Sequence, residues 1–165
     1  MRKAIFMAFL SIAGFSAISA QSMINPWISC GNDISCGVKK AGFDFPLKVE
    51  NYTVWAMEGM LELHFSISGG RNVVLRKSVK AMGPEDENGI VDISGDYNHY
   101  PLNKTLTLEN GVKFAVRGEE NNYKVVNFAA ETGYYSISCD EGLNLQDIEY
   151  FYKLLEEAEA PKYDE

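Results

Sequence analysis

The chain has 165 residues and a formal net charge of −8, and 46% of its residues are hydrophobic. This length suits one domain with a substantial hydrophobic core. Because an acidic chain repels the phosphates of nucleic acids and anionic membrane surfaces, the charge argues against both as partners.

The first twenty residues have the pattern of a secretory signal peptide. The basic pair Arg2-Lys3 precedes an apolar run that extends to residue 18, and small residues lead up to Ala20. The run is shorter than the ~20 apolar residues of a transmembrane helix, so a membrane anchor is the weaker alternative. We expect residues 1–20 to be removed and residues 21–165 to form a single exported domain, periplasmic or secreted, without a membrane span.

Three cysteines, Cys30, Cys36 and Cys139, follow this leader. The exported compartment is oxidising, so disulfides can form there. The spacing favours a local Cys30–Cys36 bridge, but a bridge from either residue to Cys139 stays open, and an odd count leaves one thiol over. A zinc site is not expected, because there is no second close pair of cysteines and both histidines are distant in sequence. No cofactor is indicated.

A short helix is predicted before Gly42. Asn32 or Asp33 can cap its start, and Gly42 suits its end because glycine accepts the left-handed conformation. Apolar residues recur on one face of this helix, at positions 34, 38 and 41. A second helix is predicted over residues 144–160, where Asn144 and Asp147 resemble a capping box and apolar residues recur at helical spacing.

Between the helices the hydrophobic pattern has a period of two, which is typical of half-buried strands. The clearest case is "MLELHFSIS", residues 60–68, in which apolar and polar side chains alternate. About seven strands are predicted, at residues 52–57, 60–68, 73–79, 104–108, 112–117, 123–130 and 134–139. We therefore predict an α+β fold: a single antiparallel sheet of about six to seven strands, with the N-terminal short helix and the C-terminal helix packed on one face.

Residues 80–103 are rich in Gly, Pro, Asp and Asn and are predicted to be a loop, of a length that is often functional or mobile. Within it, "DISGDYNHY" places oxygen-bearing side chains at Asp92, Ser94, Asp96 and Asn98. An EF-hand is excluded. Counted from Asp92, the sixth position is not the glycine that an EF-hand needs, and the twelfth is not an acidic residue. A different calcium site stays open. The favoured interpretation is a turn, in which Asp and Ser side chains bond the N–H two residues on.

Three functions are compatible with this pattern. The favoured one is a non-enzymatic binding module for a protein, peptide or envelope component, with candidate ligand-binding residues Asp92, Ser94, Asp96, Tyr97, Asn98 and Tyr100. The alternative is a metal- or carboxylate-dependent hydrolase centred on the Asp92–Asn98 loop, with Asp92 and Asp96 as an acid–base pair. A purely structural accessory domain is the third. The two imidazoles, His64 and His99, have no recognisable nucleophile motif beside them, so no catalytic residue and no metal ligand is assigned.

Several pieces of the sequence resemble an uncharacterised family of exported bacterial domains. They extend over nearly all of residues 21–165, and they are "NPW", "AGFDFP", "GMLELHF", "LRKS", "DISGDYNHY", "GYYSIS" and "GLNLQDI". The pattern is related to that of the DUF4367 domains, and "DISGDYN" is its most specific piece. The resemblance implies an exported α+β module and carries over no catalytic residue.

Overall fold

The computed structural model describes residues 25–45 and 49–159. The predicted signal peptide and its cleavage site lie outside these residues. The elements, in chain order, are β1 (Ile28–Gly31), α1 (Ile34–Ala41), β2 (Thr53–Met57), β3 (Met60–Ile67), β4 (Arg71–Ser78), β5 (Leu102–Thr107), β6 (Lys113–Glu119), β7 (Asn122–Ala130), β8 (Gly133–Leu143) and α2 (Leu145–Glu159). A turn of 3-10 helix, Ser68–Gly70, joins β3 to β4.

The eight strands of the described residues form one sheet in the order β1-β2-β3-β4-β8-β7-β6-β5. Every neighbouring pair is antiparallel, which confirms the predicted α+β fold with a single antiparallel sheet. The predicted count of six to seven strands is too low, because the sheet has eight. The strand that the sequence does not predict is β1. This strand has only four residues, too few to show an alternating pattern, and its pairing with β2 gives it its extended conformation.

The strand order explains the long connection between β4 and β5. Strands β1 to β4 form one meander and β5 to β8 another, and the two join where β4 pairs with β8. From β4 the chain must therefore pass three strands to reach β5 at the far edge, roughly 19 Å at ~4.8 Å per strand. Residues 79–101, which we call the long connection, cover this distance.

One face of the sheet carries the main hydrophobic core. Alternating strand residues such as Leu63, Leu75 and Ile137 are at most 1% exposed. Both helices add side chains to this cluster, among them Ala41 from α1 and Phe151 from α2. No helix in the described part of the chain is long and apolar enough to cross a membrane.

The helix caps form as the sequence predicts. The side chain of Asp33 accepts a hydrogen bond from a backbone N–H in the first turn of α1, and Gly42 ends that helix at a φ of 81°. At the start of α2, the N–H of Asn144 donates to Oδ2 of Asp147 (3.0 Å), and the N–H of Asp147 donates to Oδ1 of Asn144 (2.9 Å). These bonds satisfy backbone donors that a helix leaves unpaired at its start.

The long connection covers part of the opposite face. Val91 and Ile93 are 0% and 3% exposed and form a second apolar cluster with Met60 of β3. Trp27 and Met57 pack against the same cluster. The predicted loop is therefore packed against the sheet. It ends where β5 begins, at Leu102, which is two residues earlier than the predicted start of this strand at residue 104.

The predicted Cys30–Cys36 disulfide is present, with the two Cα atoms 5.7 Å apart, and it links β1 to α1. The alternative pairings with Cys139 are wrong, because Cys139 is a buried free thiol in β8. Burial raises the pKa of that thiol, so it is protonated at neutral pH.

Replacing both bridged cysteines, Cys30→Ser with Cys36→Ser, is expected to lower the free energy of unfolding by about 2 kcal/mol, because a short crosslinked loop removes a limited entropy from the unfolded chain. Urea denaturation of the variant measures this loss. The wild-type protein in reducing buffer should lose a similar amount, whereas an unchanged midpoint in both experiments would show that the bridge does not stabilise the fold.

Candidate functional site

The DISGDYNHY stretch folds as a chain of side-chain-to-backbone hydrogen bonds. Oδ1 of Asp92 accepts from the N–H of Ser94 (2.9 Å) and from its hydroxyl (2.6 Å). The hydroxyl oxygen of Ser94 accepts from the N–H of Asp96 (3.1 Å), and Oδ1 of Asp96 accepts from the N–H of Asn98 (2.7 Å). Gly95 supplies a φ of +65°. The alternating oxygen-bearing residues thus build consecutive turns, which is the geometry that the turn interpretation predicts.

Two arginine side chains hold this stretch against the sheet. Arg76 of β4 donates through Nη1 to the carbonyl oxygens of Ile93 (3.2 Å) and Ser94. Arg117 of β6 donates through Nη2 to the hydroxyl of Ser94 (2.9 Å) and pairs with Oδ2 of Asp92 (3.0 Å). The arginine side chains are only 20% and 17% exposed. Ser94 therefore accepts hydrogen bonds from both arginines, at its backbone and at its side chain.

Glu62 supplies the buried counter-charge for Arg76. It lies opposite Arg76 in the β3–β4 register, and its side chain is 9% exposed. One carboxylate oxygen contacts Nε of Arg76, and the other contacts Nε2 of His64. Burial raises the pKa of Glu62, but the hydrogen bonds with His64 and Arg76 and the charge of Arg76 outweigh burial, so the pKa lies below its ordinary value. Glu62 is therefore an ionised partner of Arg76 at neutral pH.

We expect the protein to lose stability in acid through Glu62 and Asp147. The hydrogen bonds from Arg71 lower the pKa of Asp147, at N···O distances of 2.7 and 2.9 Å. A carboxyl group with a lowered pKa in the folded state contributes stability that is complete above its unfolded pKa and is lost as the pH falls through the folded pKa. The urea midpoint should hold from pH 7 to about pH 5 and fall below about pH 4. The fall should be smaller in Asp147→Asn, and a midpoint that rises on acidification would contradict this prediction.

A cleft of about 620 Å³ is lined by both the long connection and the sheet. Its size lies within the range of small-molecule sites. The lining combines apolar side chains with polar and aromatic ones: Trp27, Met57, Met60, Met82, Arg76, Asp92, Asp96, Tyr97, Asn98, His99, Tyr100, Asn103 and Arg117. This mixture can bury the apolar surface of a ligand and orient it through a few hydrogen bonds.

The two tyrosines of the stretch have opposite environments. Tyr100 donates its hydroxyl to Oδ2 of Asp96 (2.7 Å), and the guanidinium of Arg117 lies 5.9 Å from its ring centroid. Burial, together with the hydrogen bond to Asp96, raises the pKa of Tyr100. Tyr97, by contrast, lines the cleft with 93% of its surface exposed. Tyr100 therefore supports the stretch, whereas the ring of Tyr97 is accessible to a ligand.

A smaller pocket of about 220 Å³ adjoins the cleft and shares Asp92, Asn103 and Arg117 with it. Its lining includes Asn127 of β7, which is 2% exposed. Oδ1 of Asn127 and Nε of Arg117 are buried and have no hydrogen-bond partner among the described residues. A buried polar atom without a partner destabilises the fold, and both of these atoms are enclosed by the surrounding protein.

The structure brings five of the six predicted ligand-binding residues into the cleft: Asp92, Asp96, Tyr97, Asn98 and Tyr100. Ser94 is buried and instead holds the turn. The sequence patterns do not indicate that the two arginines, Trp27 and the methionines line the cleft. One signal could have indicated the arginines. Arg76 and Arg117 each lie on the polar face of a half-buried strand, where an arginine can make a buried polar contact.

The structure separates the two histidines. His99 lines the cleft, whereas His64 contacts Glu62 on the sheet and does not line it. Within residues 25–45 and 49–159, no group of three or more His, Cys, Asp or Glu side chains could hold a metal ion. Asp92 and Asp96 each have their own partners, Arg117 and Tyr100 respectively.

The chain matches no protein-family model, no curated protein and no solved structure. The resemblance to uncharacterised exported domains and the expected export therefore stay predictions.

Proposed function

We propose that this protein is an exported, non-enzymatic binding module whose ligand occupies the cleft between the long connection and the sheet. The observation that carries the proposal is the exposed ring of Tyr97 on the wall of that cleft. Ligand sites are typically concave and lined by apolar and aromatic side chains with a few placed polar groups. The cleft has this composition.

The wall of the cleft is organised before any ligand arrives. Arg76 and Arg117 anchor the stretch to two strands of the sheet, and the Asp92–Ser94–Asp96 hydrogen bonds fix its turns. A site that is already ordered loses little conformational entropy when a ligand binds. This supports a binding role for a segment that the sequence alone marks only as a loop.

The same contacts favour binding over hydrolysis. Asp92 pairs with Arg117, and Asp96 accepts from the hydroxyl of Tyr100 and the N–H of Asn98. Both carboxylates therefore act as hydrogen-bond acceptors within the turns. The hydrolase alternative centred on the Asp92–Asn98 loop stays a prediction, and no contact of the described residues favours it.

A retention experiment tests this proposal. The exported protein is immobilised, envelope material is passed over it, and the material that stays bound is measured. We compare the wild type with Tyr97→Ala, and we analyse the retained material for protein, peptide and carbohydrate. Because Tyr97 is 93% exposed, its replacement should leave folding intact while removing ligand contact. We expect a component that the wild type retains and Tyr97→Ala releases.

The matched control is Tyr150→Ala. Tyr150 is 61% exposed on α2, which packs on the other face of the sheet. This variant should retain the same component as the wild type. Equal retention by all three proteins, or equal loss in both variants, would show that the cleft is not the binding site.

A further inference from the structure

We propose that the outer edge of strand β5 binds an extended, basic peptide segment, which adds a further strand to the sheet. This surface adjoins the cleft but goes beyond the function proposed for it, because its partner is recognised through the backbone of β5 and not through Tyr97. Three features carry the inference: the regularity of this edge, the backbone groups that it presents and the carboxylates beside it.

The two edges of the described sheet differ in how well they can pair again. The β1 edge has four residues, its register with β2 shifts before Gly31, and a disulfide ties Cys30 to α1. The β5 edge has six residues, contains no proline and pairs with β6 in an unbroken register. Short or bulged edge strands resist further pairing, whereas a regular edge strand offers it. Of these two edges, β5 is therefore the one suited to a partner.

Alternate residues of β5 present their backbone groups away from the sheet. The hairpin that follows β5 fixes which residues these are, because the N–H of Leu108 donates to the carbonyl oxygen of Val112 (2.9 Å). In an antiparallel ladder the bonded residues alternate, so the even-numbered residues of β5 bond β6 and the odd-numbered ones, Asn103, Thr105 and Thr107, face outward. No strand of the described residues pairs with this side of β5. An extended peptide can bind these groups through main-chain hydrogen bonds.

The groove beside this edge is acidic. A cavity of about 360 Å³ lies between β5 and the long connection, and Asp86 and Glu87 line it together with Asn103 and Thr105. Oδ1 of Asp86 accepts hydrogen bonds from the N–H groups of residues 88 and 90 (2.9 Å each). Within the described part of the chain, no cation pairs with either carboxylate. Both can therefore attract a positively charged side chain of a partner.

The lysines at this edge already have partners. Nζ of Lys104 donates to both carboxylate oxygens of Glu120 (2.8 and 2.9 Å), and Nζ of Lys113 donates to Oδ1 of Asn88 (3.0 Å). The chain as a whole has a formal net charge of −8. A second copy would bring this charge, and its own acidic groove, to the same edge, so the charges favour a basic partner over self-association.

The two faces of the sheet define a sequence pattern for the partner. Side chains opposite Asn103 and Thr105 lie on the same face as these residues, beside the carboxylates of the groove. The intervening side chains lie on the other face, where Leu102 and Leu106 are half-buried against the main core. A segment with basic residues at every second position and apolar residues between them therefore fits this edge.

Calorimetric titration with an end-blocked pentapeptide of alternating lysine and valine, with lysine at both ends, tests the inference. It should bind the wild type, and the glutamate–valine analogue should bind at least about tenfold more weakly. N-methylation separates strand pairing from charge attraction. In antiparallel pairing the lysine N–H groups face β5 and the valine N–H groups face away, so methylating the lysine nitrogens should abolish binding and methylating the valine nitrogens should not. Equal affinities of the two methylated peptides, or of the lysine and glutamate peptides, would overturn the inference.

Thr105→Pro blocks the edge in the protein itself. The N–H of Thr105 faces outward, so proline removes it without breaking the β5–β6 ladder, and proline is tolerated in edge strands. Affinity for the lysine–valine peptide should fall at least about tenfold. The matched control, Thr105→Val, removes the hydroxyl that accepts from Asn88 (3.2 Å) but keeps the N–H, so its affinity should be unchanged. Undiminished binding by a folded Thr105→Pro would overturn the inference, and the methylated peptides decide it if this variant does not fold.

Two further measurements identify the site and its occupant. Tyr97→Ala should bind the peptide as the wild type does, and a loss as large as that in Thr105→Pro would place the peptide in the cleft and overturn the inference. A wild-type dimer in sedimentation that Thr105→Pro dissociates would show that a second copy occupies the edge, which also overturns it. Because the proposed function predicts retention through Tyr97 and this inference predicts peptide binding through β5, either can fail without the other.

Discussion

Arg76→Met is expected to lower the free energy of unfolding by about 3–5 kcal/mol, because it leaves a buried carboxylate without its arginine partner. That carboxylate belongs to Glu62, whose side chain is 9% exposed. The substitution also removes the donor to the backbone carbonyls of Ile93 and Ser94, which attaches the long connection to the sheet. Urea denaturation at neutral pH measures the loss. Faster hydrogen exchange in the long connection should accompany it.

The control for Arg76 is an exposed ion pair. Lys80 lies 3.5 Å from Glu58, and the two side chains are 62% and 90% exposed. Because exposed ion pairs contribute little, Lys80→Met should change the free energy of unfolding by at most about 1 kcal/mol. If Arg76→Met were no more destabilising than Lys80→Met, the long connection would not depend on the buried pair.

A second substitution separates the lost ion pair from lost packing. Glu62→Leu combined with Arg76→Met removes both charges of the pair and replaces them with apolar side chains. Such replacements of a buried pair are often neutral or stabilising, so the double variant should be more stable than Arg76→Met alone. A double variant that is less stable still would show that the packing of these side chains, and not their charge, is responsible.

Phe151→Ala is expected to lower the free energy of unfolding by about 3–5 kcal/mol, the usual effect of removing a buried aromatic side chain. Phe151 is 2% exposed, and its ring lies 6.1 Å from that of Phe65 in a T-shaped arrangement. It therefore joins α2 to the main core. For a domain of this size, the melting temperature should fall by roughly 10 °C.

The neighbouring residue provides the control for Phe151. Tyr150 has a side chain of similar size on the same helix but is 61% exposed. Tyr150→Ala should therefore cost about 1 kcal/mol or less. Equal destabilisation by the two substitutions would mean that burial against the sheet does not determine the contribution of α2.

The elements that the sequence predicts well are those whose signals are local. The alternation in "MLELHFSIS" indicates β3, and Asn144 with Asp147 indicates the start of α2, because each pattern depends on residues two to four positions apart. The turns of the DISGDYNHY stretch are local in the same way, since Asp92, Ser94 and Asp96 each bond the N–H two residues on. Strand β1 was missed because its conformation depends on pairing with β2, some 25 residues later.

The sequence predicts only part of the candidate site, because the remaining residues come together through contacts between distant parts of the chain. Five predicted residues line the cleft because they share one short stretch. The remainder of the lining comes from strands far away in sequence, and Arg76 and Arg117 were not expected to meet at Ser94. A charged residue on the polar face of a strand has the same pattern whether water or a packed segment covers it.

By itself the sequence determined the class of fold, most strand and helix positions, the helix caps, the favoured disulfide and the turns of the DISGDYNHY stretch. These features depend on side-chain periodicity and on contacts within a few residues, which a sequence displays directly. Only the tertiary structure decided that β4 pairs with β8, that the long connection crosses the sheet and that two partly buried arginines hold it there. Those features depend on contacts between distant residues, which form only when the chain has closed around both faces of one sheet.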